Sequence, residues 1–257
     1  MIKNFRKYRE YIIYATRARL RSEVSNSYLS WIWWILEPML DMAMYIVVFG
    51  IFFRMREDYF PIFLFIGISM WNFLSKSVRG SVGLVRRNRD IITKIYIPKS
   101  VILIKDILVN LTKMLLSFTV IILMMLVYRI QADCSALFIV PVIIELLIFT
   151  YGVCCFFLHF GVYYEDLEYV VSIMLNILMY FSGIFYSIER LLPDETGRYL
   201  IICNPVAFLI NLTRGALLYR KVIDFGWLLF WLIVSIIISI AGTLLIKKNE
   251  NNYVKLR

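Results

Sequence analysis

The sequence predicts an all-α integral membrane protein with six transmembrane helices, an N-terminal amphipathic interface helix and short re-entrant helices at the outer side. Of its 257 residues, 61% are hydrophobic and 18% are charged, whereas globular domains are about 45–50% apolar and about 25% charged. Six apolar runs also reach the roughly 20 residues that a helix needs to cross a bilayer. An ordinary water-soluble domain is therefore excluded.

The predicted elements follow one another in a single transmembrane domain over residues 1–257. Its parts are the interface helix (1–30), five spans (31–187), the re-entrant gate helices (188–225), the sixth span (226–246) and a cytoplasmic tail (247–257). The six spans are Trp31–Phe53, Pro61–Val85, Val101–Tyr128, Ala136–Phe160, Tyr169–Ser187 and Gly226–Ile246.

The segment before the first span is an amphipathic helix over Phe5–Leu20. Phe5, Tyr8, Ile12 and Ala15 share one helical face, and basic residues occupy the others. Such a pattern is typical of a helix that lies in the membrane interface rather than across it.

The basic residues predict which side each loop faces. Lys and Arg number 28 against 18 acidic residues. They cluster before the first span, between the second and third, and after the last. Because Lys and Arg are retained on the cytoplasmic side, both termini are expected there. The acidic loop Gly161–Glu168 fits poorly, but acidic residues weigh little in this rule.

The segment Ile188–Phe225 is too long for a turn and too apolar for a solvated loop. Asn204 followed by Pro205 is typical of a helix N-cap with proline at the first helical position. Two short helices that dip back into the outer leaflet would explain the segment. Irregular backbone is tolerated at that depth only where protein or a cavity surrounds it, so a passage is expected here.

A basic island, Arg86–Lys99, separates two apolar spans. Its isoleucines recur at helical spacing among charged residues, and Pro98 disfavours helix in the residue before it. This pattern predicts a short amphipathic helix on which a cytoplasmic partner acts. The residues assigned to this coupling role are Arg86, Arg87, Arg89, Asp90, Ile91, Lys94, Tyr96 and Pro98.

No catalytic or metal-binding residue set is predicted. The sequence has no GxxxxGK[ST] loop for ATP phosphates, no HExxH motif and no metal-ligand spacing among its four cysteines. Charges inside spans are costly and usually face the bundle interior. We therefore hypothesise that Lys113 pairs with Asp41 or Glu145, either as a purely structural pair or with a role in transport.

Several motifs together resemble the permease subunits of ABC-2 type exporters, in the branch that exports lipid-linked polysaccharides such as O-antigen, capsule and teichoic acid. They are WIWWILEPML (Trp31–Leu40), FIGISMWNF (Phe65–Phe73), IITKIYIPK (Ile91–Lys99), GIFYSIERL (Gly183–Leu191) and NPVAFLINLTRGALL (Asn204–Leu218). The resemblance covers nearly the whole chain. Ile97 stands where that family commonly has phenylalanine, and YYED at Tyr163–Asp166 stands where an Arg-Asp pair is usual.

The resemblance implies the type V exporter fold and a non-enzymatic half-transporter in a bacterial cytoplasmic membrane. Two copies would assemble with two ABC ATPase subunits, which bind ATP and magnesium, so that this chain holds no cofactor. The substrate would be a glycan on a polyprenyl diphosphate lipid, and nucleic acid is not expected as a partner. The resemblance also implies an outer gate at Asn204, Pro205 and Arg214.

The abundant aromatic residues suggest a surface along which a sugar chain slides, with an ordinary interfacial aromatic belt as the alternative. The residues proposed for this passage are Trp33, Trp34, Trp71, Phe73, Tyr180, Phe181, Phe185 and Tyr186. Two other functions remain open: an ABC-2 exporter of a small drug or lipid, and a membrane enzyme acting on polyprenyl-linked sugars.

Overall fold

The computed structural model describes residues 2–25, 30–54, 57–94, 97–131, 133–221, 224–250 and 253. These residues form helices, turns and loops, with no strand among them. The helices are α1 (Ile2–Val24), α2 (Trp33–Tyr45), α3 (Phe60–Val82), α4 (Leu84–Arg87), α5 (Arg89–Lys94), α6 (Lys99–Val127), α7 (Ile139–Tyr163), α8 (Leu167–Phe181), α9 (Ile188–Leu191), α10 (Glu195–Cys203), α11 (Pro205–Arg214) and α12 (Phe225–Asn249).

Five of the described segments are long and apolar enough to cross a membrane. They are Trp33–Phe52, in which α2 continues as a π-helical turn, then α3, α6, Ser135–Tyr163 around α7, and α12. The protein is therefore an all-helical integral membrane protein, and this part of the prediction is confirmed. The amphipathic α1 is not among the five.

Helix α3 is the centre of the bundle. It packs against α2, α6, α7, α8 and α11, and most of its residues are buried, including polar Ser69, Ser77 and Ser81. Pro61 occupies its first turn, where the missing N–H would have no helical partner. These contacts position α2, α6, α7 and α8, whereas α12 packs mainly against α7.

Contacts between side chains fix the direction of each helix. Helix α6 runs antiparallel to α3, because Asn110 bonds Ser77 (3.0 Å) and Tyr128 contacts Tyr59 at the far end. One end of the bundle carries α4, α5 and the end of α12, and we call it the basic end. The other carries α9, α10 and α11, and we call it the re-entrant end.

Helices α7 and α12 run parallel and in close contact. The Ser239 hydroxyl donates to the carbonyl of Ile148 (2.8 Å), and Tyr151 bonds Thr243 (3.0 Å). A Cβ on Gly152 would lie 2.9 Å from Ser239, and one on Gly242 would lie 2.6 Å from Cys155. Glycine at both positions therefore allows the two backbones to approach each other.

The predicted fifth span is shorter than expected. Helix α8 ends at Phe181, six residues before the predicted boundary at Ser187, and its 15 residues extend only about 22 Å. The helix stops because Gly183 adopts a left-handed conformation with φ of 63°, which glycine accepts without steric cost. The sequence prediction was wrong because the apolar run continues through this turn.

The re-entrant segment contains two helices that meet at a sharp angle. Helices α10 and α11 form 107° with each other. The side-chain oxygen of Asn204 accepts hydrogen bonds from the backbone N–H groups of Val206 (3.0 Å) and Ala207 (3.3 Å). The predicted N-cap with Pro205 at the first position is therefore present, and it fixes the start of α11.

Candidate functional site: a polar groove between α2 and α8

A polar stripe runs along the face of α3 that lies between α2 and α8. Asn72, Lys76 and Arg79 follow one another at one-turn spacing, and both charged side chains are exposed. We call this surface the groove. Charged side chains at membrane depth are costly, so their exposure here indicates that water, a second copy or a substrate meets them.

Both walls of the groove contribute polar partners to the stripe. Lys76 Nζ lies 2.9 Å from the Glu37 carboxylate of α2. Arg79 Nη2 donates to the Asn176 side-chain oxygen of α8 at 2.7 Å. The groove thus has a floor on α3, one wall on α2 and one wall on α8.

Aromatic rings close the groove toward the re-entrant end. Phe185 stacks on Phe49 with centroids 4.7 Å apart and lies 4.5 Å from the ring of Tyr45. Tyr180 approaches Phe185 at 5.7 Å. Phe185 itself is buried, so the rings that the groove presents at the re-entrant end are the exposed Tyr180 and the partly exposed Tyr45 and Phe49. The surface of the groove therefore changes from charged groups at the basic end to these aromatic rings.

The structure places the predicted passage residues in two different environments. Trp71, Phe73 and Phe185 are buried inside the chain, at 4%, 2% and 0% exposure, so in this conformation they cannot line a passage. Their apolar surface packs the core around α3, and the prediction was wrong for these three. Of the others, Trp33, Tyr180 and Phe181 are exposed, Trp34 and Tyr186 are partly exposed, and the Tyr186 hydroxyl donates to the carbonyl of Tyr180.

The hypothesised charge pair is replaced by another. Lys113 Nζ lies 2.7 Å from the carboxylate of Glu23 at the end of α1 and 5.7 Å from the ring centroid of Trp34. Asp41 instead faces Asn72 and Lys76 in the groove. Glu145 is buried, with neither carboxylate oxygen hydrogen-bonded in the described structure. The sequence hypothesis failed because α1 reaches α6 and supplies the closer acid.

The coupling segment lies at the basic end with its charges outward. Arg89, Asp90 and Lys94 of α5 are exposed, whereas Ile92 is buried. Pro98 is buried and begins α6 as its N-cap residue. Tyr96 and the side chain of Ile91, both assigned to this segment, lie outside the described part. The amphipathic arrangement leaves a charged surface at the end of the bundle.

The two arginines that precede α5 bind acidic residues of the same chain. Arg86 lies 3.2 Å from Glu168 and 3.5 Å from Glu165, and Arg87 lies 3.7 Å from Glu168. The acidic loop Gly161–Glu168 is therefore compatible with a cytoplasmic position, because its acidic residues pair with arginines at the basic end.

Arg214 joins three segments at the re-entrant end. Its guanidinium is 3% exposed and donates to the carbonyl oxygens of Phe63 (3.1 Å), Gly183 (2.7 Å) and Ile184 (2.8 Å). A Cβ on Gly67 would lie 2.6 Å from Arg214 Nη2, so glycine leaves room for the guanidinium. The arginine thus holds α11 against α3 and against the turn after α8.

Ion pairs on the exposed side of this end join α9 to two other segments. Arg190 lies 3.1 Å from Glu57 and 3.3 Å from Asp58. Glu189 lies 2.6 Å from Lys221 and accepts from Asn211 at 2.9 Å. We call Glu57, Asp58, Glu189, Arg190, Asn211 and Lys221 the polar latch.

The two glutamates of the polar latch shift their pKa in opposite directions. Burial raises the pKa of Glu57, and the positive charges of Arg190 and Arg214 only partly offset it. Burial would also raise the pKa of Glu189, but hydrogen bonds from Lys221 and Asn211 hold it below its usual value. Glu189 is accordingly the carboxylate that the latch keeps ionised.

The groove residues Glu37, Asn72 and Asn176 and the polar latch were missed by sequence reasoning. A signal existed for Lys76 and Arg79, because two bases within an apolar run must face water or protein. Nothing in the sequence pairs Arg79 with Asn176, which lies 97 positions away, because such contacts depend on how the helices pack.

The chain is similar over most of its length to curated permeases of polysaccharide export. It is 23% identical over 256 residues to the O-antigen export system permease protein RfbA of Myxococcus xanthus, covering 99% of this chain and 98% of the relative. It is 25% identical over 246 residues to RfbA of Klebsiella pneumoniae, covering 95% and 94%. The similarity therefore extends over nearly the full length of this chain and of these O-antigen export permeases.

Another relative is named for a different polysaccharide. The polysialic acid transport protein KpsM of Escherichia coli is 24% identical over 232 residues, covering 86% of this chain and 88% of the relative. No family model matches the sequence. The names of the relatives have transport of a polysaccharide in common, with O-antigen export for RfbA and polysialic acid transport for KpsM.

Proposed function

We propose that this chain is the channel-forming permease subunit of an ATP-driven exporter of a lipid-linked polysaccharide. The observation that carries the proposal is the groove, which exposes Lys76 and Arg79 along a membrane span. A polymer of sugars needs polar contacts on its way through a membrane, and the groove supplies them. The homologues supply the transport class.

In the proposed assembly, two copies face each other and their grooves form one passage. A single groove is open on one side, so it would expose charge to lipid at high cost. A second copy would cover it and enclose a path for the glycan. The exposed apolar residues of α2 and α8, among them Leu40, Met44, Ile173 and Ile177, would form the contact between copies or with lipid.

The basic end would face the cytoplasm, with both termini on that side, and would receive two ABC ATPase subunits. The exposed charges of α5 would contact those subunits, and the basic surface would also attract a polyprenyl diphosphate head group. ATP and magnesium would be bound by the ATPases, and this chain would need no cofactor of its own. The re-entrant end would then be the outer gate, with Asn204, Pro205 and Arg214 as its structural elements.

Reconstitution tests the proposed function. The chain is purified with its cognate ATPase, inserted into liposomes, and supplied with lipid-linked polysaccharide and ATP. We expect ATP-dependent movement of the polysaccharide across the bilayer, with no movement by either subunit alone. Transfer or modification of sugar by the chain without ATPase would contradict the proposal, and export of small drugs or lipids instead of the polysaccharide would favour the alternative exporter.

Charge reversal in the groove gives a matched comparison. The double variant K76E/R79E should abolish most export, because both groove cations become acidic beside Glu37 and Asp41. The control R129E/R198E makes the same change in net charge on exposed arginines outside the groove, Arg129 after α6 and Arg198 on α10. Equal export by the two variants would contradict a substrate path along the groove.

A further inference from the structure

The coupling segment is connected to α8 by a short chain of polar contacts. Helix α4 lies directly before α5 in sequence, and its Arg86 binds Glu168 at 3.2 Å. Glu168 belongs to the first turn of α8, where the helix N-terminus favours a negative charge. Any displacement of α5 therefore acts on α4 first and on the beginning of α8 next.

A glycine allows this connection to form. Gly83 separates α3 from α4, and a Cβ there would clash with Glu168 Oε1 and would lie 2.7 Å from Arg87 Nη1. The carboxylate therefore occupies the volume that a side chain would fill. Gly83 also ends α3, so α4 and α5 are separate short helices beyond it, and Arg86 of α4 contacts α8.

Apart from this contact, helix α8 buries few of its residues within the chain. Only Val171 and Leu175 of its residues are buried, and much of its surface is exposed. An open pocket of about 640 Å³ lies beside it, lined by residues of α3, α7, α8 and α10, among them Val78, Phe157, Leu178 and Leu200. Within a single chain, few buried contacts therefore oppose a displacement of α8.

We propose that Arg86 and Glu168 link the coupling segment to α8, so that movement of α5 shifts α8 and changes the width of the groove. This inference rests on the proposed function, since it assumes that an ATPase displaces α5. The second polar contact, Arg79 with Asn176, keeps the shifted wall of the groove beside its floor. Arg86 is then a positioning residue that acts through α8.

Variants at the two positions test the link. R86E and E168R each place like charges together, E168Q removes the attraction without repulsion, and R86E/E168R restores an opposite pair. D166R is the matched control, because Asp166 is exposed and makes no ion pair in the described ranges. All are made in the complex of the chain with its ATPase.

The readouts are polysaccharide exported per ATP hydrolysed and the position of α8. Spin labels at Ile173 of α8 and Ile237 of α12, both exposed, report their separation after Cys134 and Cys203 are replaced by serine. We expect ATP to change this separation in the wild type and in D166R. In R86E, E168R and E168Q the change should disappear and export per ATP should fall about fivefold, the scale of an exposed ion pair.

The double exchange R86E/E168R should restore both readouts. An E168Q variant with the wild-type change in separation, or a double exchange as impaired as its single variants, would overturn the link while leaving the proposed function intact. A wild-type complex that hydrolyses ATP without exporting polysaccharide would overturn the proposed function itself, and the link with it.

Discussion

At the scale of single residues, Arg214 is the buried charge that connects the segments of the re-entrant end. It is buried, donates three hydrogen bonds to backbone carbonyls, and lies 3.4 Å above the ring of Phe63. No carboxylate lies within ion-pair distance of the guanidinium in the described structure, although the Glu57 carboxyl interacts with it from further away. Carbonyl dipoles and an aromatic face are therefore its direct partners. Substitution would leave buried carbonyl oxygens without donors.

We expect R214Q to destabilise the protein by about 2–4 kcal/mol, because hydrogen bonds to a buried charged group are lost together. The measurement is thermal unfolding in detergent, followed by tryptophan fluorescence. An exposed base of the same end, Arg198, provides the control, and R198Q should unfold as the wild type does. Equal unfolding of the two variants would contradict the structural role of Arg214.

Two glycines on α3 give a second prediction about the same contact. G67A should destabilise the protein, because its Cβ would lie 2.6 Å from the guanidinium of Arg214, whereas G80A has nothing within 4 Å of its Cβ. We expect G80A to be neutral or stabilising by up to about 1 kcal/mol, the helix propensity difference. In a double-mutant cycle the effects of G67A and R214Q should not add, and additive effects would contradict the contact.

The polar latch predicts a pH dependence at the re-entrant end. Because the folded protein holds the pKa of Glu189 below its usual value, its contribution is present above the unfolded pKa of about 4.3 and is lost as the pH falls through the folded value. E189Q should therefore be less stable at neutral pH, by at most about 1 kcal/mol for a partly exposed pair.

Unfolding curves from neutral to acidic pH check this expectation. The difference between E189Q and the wild type should shrink as the pH falls below the unfolded pKa of about 4.3 and through the lowered pKa of the folded Glu189, where the wild-type carboxylate becomes protonated. E195Q is the control, since Glu195 is exposed and makes no ion pair in the described ranges. A difference that stays constant at acidic pH would contradict the role of Glu189.

At the scale of elements, α5 shows how far a sequence pattern predicts function. Isoleucines at helical spacing predict its buried side, and Ile92 is buried there. The basic residues of the same pattern divide into two groups that the sequence does not separate. Arg86 and Arg87 bind Glu165 and Glu168, whereas Arg89 and Lys94 of α5 stay exposed.

Reversal of the two exposed charges tests the role of α5. R89E/K94E should uncouple ATP hydrolysis from export, because the surface offered to the ATPase changes sign while the buried side of the helix is kept. The measurement is export and ATP hydrolysis by the reconstituted complex, with R129E/R198E as the control for net charge because both arginines are exposed outside the basic end. Unchanged export by R89E/K94E would refute the coupling role.

The limits of sequence reasoning are visible in the same elements. Apolar length predicts α3, α6, α7 and α12, because a membrane span is a local property of about 20 residues. It fails at the end of α8, where the left-handed Gly183 ends the helix inside an apolar run. The partner of Lys113 also escapes prediction, because Glu23 is 90 positions away in sequence and its proximity depends on the packing of α1 against α6.

At the scale of the whole molecule, the proposed function makes each chain one half of a channel, with polar groups on its open side. The groove begins among charges near the basic end and ends among aromatic rings near the re-entrant end, where Arg214 and the polar latch hold the short helices.

The most direct test of a substrate path through the groove is a photocrosslinking residue at position 76 in the reconstituted complex during export of lipid-linked polysaccharide. Position 237, exposed on α12, is the control. We expect the glycan to crosslink at position 76 and not at position 237, whereas crosslinking only at position 237, or equally at both, would contradict a path through the groove.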